Sequence, residues 1–127
     1  MKQPFLIGTV FFLLLLIAGC NQQPNIDISE ALGKTRETLR ELDEIETTAA
    51  SFDGERDIKF RLMVKKHPTE EEAIIFFNKI LESIAQFSNR SDVWDHYNGY
   101  YDIMTYDIGV IYEATKLIGE ELDIKLN

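Results

Sequence analysis

The chain has 127 residues, enough for one domain with a modest core, and its 22 Asp and Glu outnumber 13 Lys and Arg, giving a formal charge of −9. This balance argues against nucleic-acid binding, which needs basic patches that neutralise phosphate. The only cysteine is Cys20, so no disulfide can form within the domain and packing must stabilise it.

The first twenty residues have the three parts of a secretory signal. Lys2 supplies a positive start, an apolar run extends from Phe5 to Ala18, and Ala18 and Gly19 are small enough for a cleavage site. As a helix the run would span about 20 Å, less than the roughly 30 Å of hydrocarbon that a transmembrane helix must cross. We therefore predict a signal peptide over residues 1–19 that is removed.

The sequence Leu16-Ile17-Ala18-Gly19-Cys20 resembles the lipobox of bacterial lipoprotein precursors. The resemblance implies that Cys20 becomes the new amino terminus and carries diacylglycerol on its sulfur, which anchors the protein on the extracytoplasmic face of the cell membrane. Whether a fatty acid such as palmitate also modifies its amine stays open. The mature part resembles small Bacillus-type lipoproteins, but no functional residue can be carried over from them.

The mature chain begins with a predicted tether, and its remainder is predicted to be one domain. Residues 20–26 are the lipidated cysteine and a polar segment containing Pro24, and residues 27–127 form the domain. Without the signal, 12 basic and 22 acidic side chains remain, a formal charge of −10. Such a domain is repelled by an anionic membrane, so the lipid must provide the anchoring.

Local patterns predict two helices and a hairpin between them. Asp27 or Ser29 caps a first helix that continues to about Leu42, with apolar positions spaced by three and four residues. Alternation over Ile58–Val64 predicts a strand, and Asp53-Gly54 turns a hairpin that joins it to residues 46–52. Thr69 and Glu72 form a capping box for the second helix. Its predicted apolar positions are Ala73, Phe77, Ile80, Ile84 and Phe87, widened by Ile74 and Leu81.

The last third of the chain is rich in aromatic residues and turn signals. Asn98-Gly99 predicts a tight hairpin turn with residues 93–97 as the incoming strand, and Gly109 predicts another turn into residues 110–117. Residues 110–118 also fit a helix, although Val110-Ile111-Tyr112 favours a strand. Alternation at Leu122–Leu126 predicts a short closing strand. The predicted fold is α+β: two helices on one face of a mostly antiparallel sheet, with a helix-plus-two-strands order used twice.

The sequence contains no recognised catalytic motif, and we predict no metal site and no cofactor. His67 is interpreted as a solvent-facing strand end. Four oxygen-bearing side chains around His96 could bind a hard cation, namely Asp92, Asp95, Asn98 and Asp102. They lack the spacing of a calcium loop, and a solvated turn between helix and sheet explains them without a metal. The alternative to a non-enzymatic protein is a small envelope hydrolase or metal-assisted enzyme that uses Asp95, His96 and Asp102.

The aromatic residues are the best binding candidates, because tyrosine and tryptophan are enriched at interfaces. Trp94, Tyr97 and Tyr100 flank the predicted turn and are expected to be the most exposed, with His96 beside them. For the aromatic group as a whole we favour a simpler interpretation, in which alternate aromatics on a strand form the core of a small domain without disulfides. We predict a non-enzymatic, membrane-anchored module that binds an envelope protein or the cell wall. A solute-capturing role is disfavoured, since the chain is too short for two lobes.

Overall fold

The computed structural model describes residues 26–126, so the predicted signal peptide, the lipidation of Cys20 and most of the tether lie outside the described residues. Within them, two α-helices and a five-stranded sheet form the predicted α+β fold. The elements in chain order are α1 (Ile28–Arg40), β1 (Ile45–Phe52), β2 (Asp57–Val64), α2 (Glu70–Ser88), a 3-10 turn (Val93–Asp95), β3 (Asn98–Thr105), β4 (Gly109–Lys116) and β5 (Asp123–Leu126).

The five strands lie side by side in the order in which they occur in the chain. Three of the four neighbouring pairs are antiparallel, and only β2 and β3 are parallel, with α2 as the crossover between them. The order helix–strand–strand occurs twice, as α1-β1-β2 and as α2-β3-β4. The mostly antiparallel sheet and the repeated order are both confirmed.

Both helices cover the same face of the sheet and bury their apolar sides against it. Helix α1 begins as predicted, because the side chain of Asp27 accepts a hydrogen bond from the backbone N–H of Glu30. It lies along β1, where the hydroxyl of Thr48 donates to the carbonyl of Arg36. Strand β2 contributes every second side chain to the core, namely Ile58, Phe60, Leu62 and Val64. No helix or strand of the described residues covers the opposite face of the sheet.

The predicted first hairpin is confirmed, and its turn is held by one carboxylate. Asp53 Oδ1 accepts hydrogen bonds from the backbone N–H groups of Glu55, Arg56 and Asp57 at 2.8 to 3.0 Å. These bonds favour the charged form and lower the pKa of Asp53. Gly54 has a φ of +88°, a conformation that side chains other than glycine rarely adopt.

The second helix confirms the predicted capping box but corrects its apolar face. Thr69 Oγ1 accepts from the N–H of Glu72, and Glu72 Oε1 accepts from the N–H of Thr69. Ala73, Phe77, Ile80 and Ile84 are buried as predicted, whereas Phe87 and Leu81 are half-buried. Ile74 was expected to widen this face but is exposed, and Phe76 is buried instead. Phe76 faces the loop that follows α1, so the apolar face is turned toward that loop.

The predicted hairpin turn at Asn98-Gly99 is wrong, because these residues begin β3. The backbone N–H of Asn98 donates to the carbonyl of Arg56, and its side chain donates to Asp57 and accepts from the N–H of Ile118. Asn98 thus joins the starts of β2 and β3 to the end of β4. Residues 93–95, expected in an incoming strand, form the 3-10 turn that carries the chain from α2 into this parallel register.

Gly99 is required by close packing rather than by a turn. Its φ is not among the positive values, and a Cβ at this position would collide with the ring and hydroxyl of Tyr101. Gly109, in contrast, has a φ of +88° at the predicted second turn. The strand interpretation of residues 110–117 is confirmed by β4, and the closing strand by β5.

Candidate binding surface

The candidate surface is the face of the sheet that no helix or strand within residues 26–126 covers. Register places side chains of neighbouring strands directly opposite one another on this face. One row consists of Ser51, Lys59, Tyr100 and Thr115, and the next consists of Ala49, Arg61, Asp102 and Glu113. We call these eight residues the open-face rows.

An ion pair fixes the middle of the second row. Arg61 Nε lies 2.8 Å from Asp102 Oδ1, and Arg61 Nη2 lies 2.8 Å from Asp102 Oδ2. The parallel register of β2 and β3 sets these residues side by side although they are 41 positions apart in sequence. The hydrogen bonds and charge of Asp102 raise the pKa of Arg61. The two-point contact holds the guanidinium plane in one orientation, with its remaining N–H groups available to a ligand.

A depression of about 250 Å³ adjoins this ion pair on the side of β1. Its lining includes Ala49 and Ser51 on β1, Lys59 and Arg61 on β2, and Tyr100 on β3. It forms because β1 presents short side chains where β2 presents long ones. The depression therefore borders β1, the first strand of the sheet.

The two edge strands of the sheet differ in a way that bears on binding. Strand β5 is four residues long and carries Asp123 and Lys125, so it offers a short, charged edge. Strand β1 is eight residues long and, among residues 26–126, pairs only with β2; it has no charged side chain and no proline from Thr47 to Phe52. Thr47, Ala49 and Ser51 are exposed. The long edge is thus the one able to pair with another strand.

The predicted aromatic binding residues do not lie on one surface. The prediction that Tyr97 is exposed is wrong, because its side chain is only 5 % exposed. Its ring packs edge-on against that of Phe52, with the two ring centroids 5.7 Å apart. Trp94 is half-buried, because its Nε1 donates to the carbonyl of Leu81 and its ring packs edge-on against Tyr101. Tyr100 is exposed as predicted, on the opposite side of the sheet.

His96 is the fourth predicted binding residue, and it lies beside the exit of α2. Its Nε2 is 3.5 Å from Asp92 Oδ2, and Asp92 is held more closely by Arg90, at 2.7 and 2.8 Å. The hydrogen bonds from Arg90 lower the pKa of Asp92 to about 2. Because Asp92 is already paired with Arg90, its negative charge is balanced within the protein, and no bound cation is needed to explain it.

The residues of the enzymatic alternative are held apart by the fold. Asp95 and His96 belong to the 3-10 turn and its end, whereas Asp102 is bound to Arg61 on the open face. Among residues 26–126, no group of three or more His, Cys, Asp or Glu is placed to hold a metal ion. Asp102 is therefore paired with Arg61 instead of with His96, and the three residues do not form one catalytic group.

The end of the domain where β2 and β3 finish carries several exposed apolar side chains. Tyr106 and Ile108, at the tip of the β3–β4 hairpin, are 87 % and 66 % exposed, and Ile75 on α2 is 57 % exposed. A second depression of about 320 Å³ lies at the same end, between the loop after α1 and the start of α2. It is lined by His67, which is exposed as predicted, and by Lys65, Lys66 and Glu72 among others.

In comparisons with known proteins, no protein-family model and no curated protein matches the chain. Between Ile26 and Leu126, none of the helices is both long and apolar enough to span a bilayer.

Proposed function

We propose that the protein is a membrane-anchored extracytoplasmic lipoprotein whose domain is a non-enzymatic module that binds an envelope partner. The lipobox-like sequence ending at Cys20 supports the anchor. The binding role is supported by one structural observation above all: within the described part of the chain, no helix or strand covers one face of the sheet, and a depression on that face adjoins β1, a long edge strand. Such a surface is suited to recognition, since it offers backbone groups and side chains together.

The direction of α1 indicates which end of the domain lies nearest the membrane. The helix runs from Asp27 to the loop before β1 and lies along β1, so the chain enters at the end that holds the Asp53 turn and Asn98. Residues 21–25 extend at most about 18 Å, which keeps this end close to the bilayer. The hairpin tip at Tyr106 then faces away from the membrane, and the open face stands at its side, accessible to a partner.

The anchor is tested by metabolic labelling with a palmitate analogue. We expect the wild-type chain to be labelled and to sediment with membranes, and Cys20→Ser to lose both properties. Label that is unchanged in Cys20→Ser would refute the anchor, whatever the domain binds.

The binding role is tested by site-specific photocrosslinking in intact cells. A photoreactive amino acid in place of Ser51 lies on the open face beside the depression, whereas the same group in place of Glu37 lies on the exposed side of α1 and serves as the control. We expect a discrete crosslinked product at position 51 and none of that size at position 37. Equal products at both positions, or none at position 51, would contradict the open face as the binding surface.

A further inference from the structure

The unpaired edge of β1 presents backbone groups in a geometry that another strand can continue. Within residues 26–126, β1 has a single neighbour, β2, and no other strand lies on its outer side. From Thr47 to Phe52 its side chains are small, hydroxylated or apolar. Edge strands are usually protected from pairing because they are short or carry Lys or Pro, and β5 is protected by its short length and its charge. The β-bulge between Ile45 and Thr47 limits pairing to the remaining six residues.

The depression next to this edge adds side-chain selectivity. A strand paired to β1 would place alternate side chains on the open face, directly beside Ala49 and Ser51. Those short residues leave room for an incoming side chain to reach the long side chains of β2. Lys59 makes no ion pair with any described residue, and the charge of Asp102 is already compensated by Arg61. The lining therefore carries a net positive charge within an acidic domain.

We propose that β1 accepts an extended segment of a partner protein as a sixth strand, with acidic side chains at alternate positions directed toward Lys59 and Arg61. This inference rests on the proposed binding role and specifies the chemistry of the partner at that surface. Main-chain hydrogen bonds along residues 47–52 supply affinity, and the carboxylates select the register and the face.

Two other occupants fit the surface less well. A second copy of this chain pairing through its own β1 would bring Thr47, Ala49 and Ser51 to the seam, and these side chains are too short to fill the depression. An anionic polymer without amide groups could meet Lys59, but it could not continue the backbone pairing of β1.

The test uses the full chain purified in mild detergent and three synthetic heptapeptides. The first alternates Glu with Val, the second has Lys in place of Glu, and the third repeats the first with alternate backbone nitrogens methylated. Binding is measured by fluorescence anisotropy, and amide hydrogen exchange of residues 47–52 is measured with and without peptide. Lys59→Glu tests the charge, and Lys34→Glu, an equal charge change on the exposed side of α1, is the control.

We expect the Glu peptide alone to bind and to slow exchange in β1 while leaving β5 unchanged. Lys59→Glu should weaken binding by about fivefold or more, and Lys34→Glu by less than about twofold. Absence of binding, equal binding of the Lys or methylated peptide, or protection elsewhere than β1 would overturn the proposal. If exchange in β1 is already slow without peptide and the protein sediments as a dimer, the edge is occupied by a second copy of the chain and the proposal is wrong. Because purified protein is used, failure here is separable from failure of the labelling or crosslinking experiments.

Discussion

The hydroxyl of Tyr101 offers a sharp test of how the core is built. Tyr101 is 3 % exposed on the helix-covered face, and its hydroxyl has no hydrogen-bond partner among residues 26–126. It lies against the backbone of Gly99, with the ring edge-on to Trp94 at a centroid distance of 6.1 Å. We expect Tyr101→Phe to stabilise the protein, since it removes a buried polar group and keeps the ring.

The expected size follows from the cost of leaving such a group unpaired. A buried hydroxyl without a partner costs about 1 to 3 kcal/mol, so its removal should raise the free energy of unfolding by about 1 to 2 kcal/mol. In a domain of this length that corresponds to a rise in Tm of about 5 to 10 °C. Tyr100→Phe is the matched control, because Tyr100 is 37 % exposed and its hydroxyl removal should change the unfolding free energy by less than about 0.5 kcal/mol.

The pH dependence provides a second, independent readout. Burial raises the pKa of Tyr101 well above 10, because it disfavours the phenolate. Below pH 10 both folded and unfolded chains are protonated at this site. As the pH rises above 10 the unfolded chain ionises first, so folding stability is lost. The advantage of Tyr101→Phe should therefore grow above pH 10 in urea unfolding followed by circular dichroism. A variant less stable than wild type at pH 7 would refute an unpaired hydroxyl.

Three further outcomes are expected. Gly99→Ala should destabilise the domain by about 2 kcal/mol in urea unfolding, because its Cβ meets a buried tyrosine ring; an unchanged midpoint would contradict the close approach. A double-mutant cycle of Arg61→Ala and Asp102→Ala should give a coupling of about 1 kcal/mol or less, reduced in 1 M salt, and a coupling that salt does not alter would argue against an ion pair with solvent access. NMR titration should place the pKa of Asp92 near 2, and Arg90→Gln should move it toward the ordinary 3.8. The corresponding stability is present above about pH 3.8 and is lost as the pH falls toward 2; an unshifted titration in both proteins would refute the contact.

The elements that sequence predicted correctly are those whose signals are local. The capping box of Thr69 and Glu72, the Asp53-Gly54 turn and the alternation of Ile58–Val64 each depend on residues within a few positions of one another. These patterns sufficed for the fold class, both helices and the first hairpin. Strand propensity also gave the better of the two alternatives for β4.

The errors arose where distant parts of the chain decide the outcome. Asn98-Gly99 has the composition of a turn, but contacts with Arg56 and Ile118 hold it in a strand. The burial of Tyr97 likewise depends on Phe52, which is remote in sequence.

The centre of the candidate surface had no local signal at all. The pairing of Arg61 with Asp102 depends on a parallel register that no nearby motif encodes. The depression depends on which strand borders β2 on its other side, and that too is a property of the assembled sheet. Of the predicted binding residues, only Tyr100 lies on this surface, and its role stays a prediction.

The parallel pairing of β2 with β3 also sets an order for folding. The hairpins β1–β2 and β3–β4 are each local, whereas residues that pair across the parallel seam are 41 positions apart. Closing that seam carries the larger loop entropy, so we expect it to form after the hairpins. When the chain is synthesised from its amino terminus, β2 is complete before residues 98–105 have been made. Until they arrive, one edge of β2 is unpaired. During that interval Ile58–Val64 is the segment most open to pairing with the wrong strand.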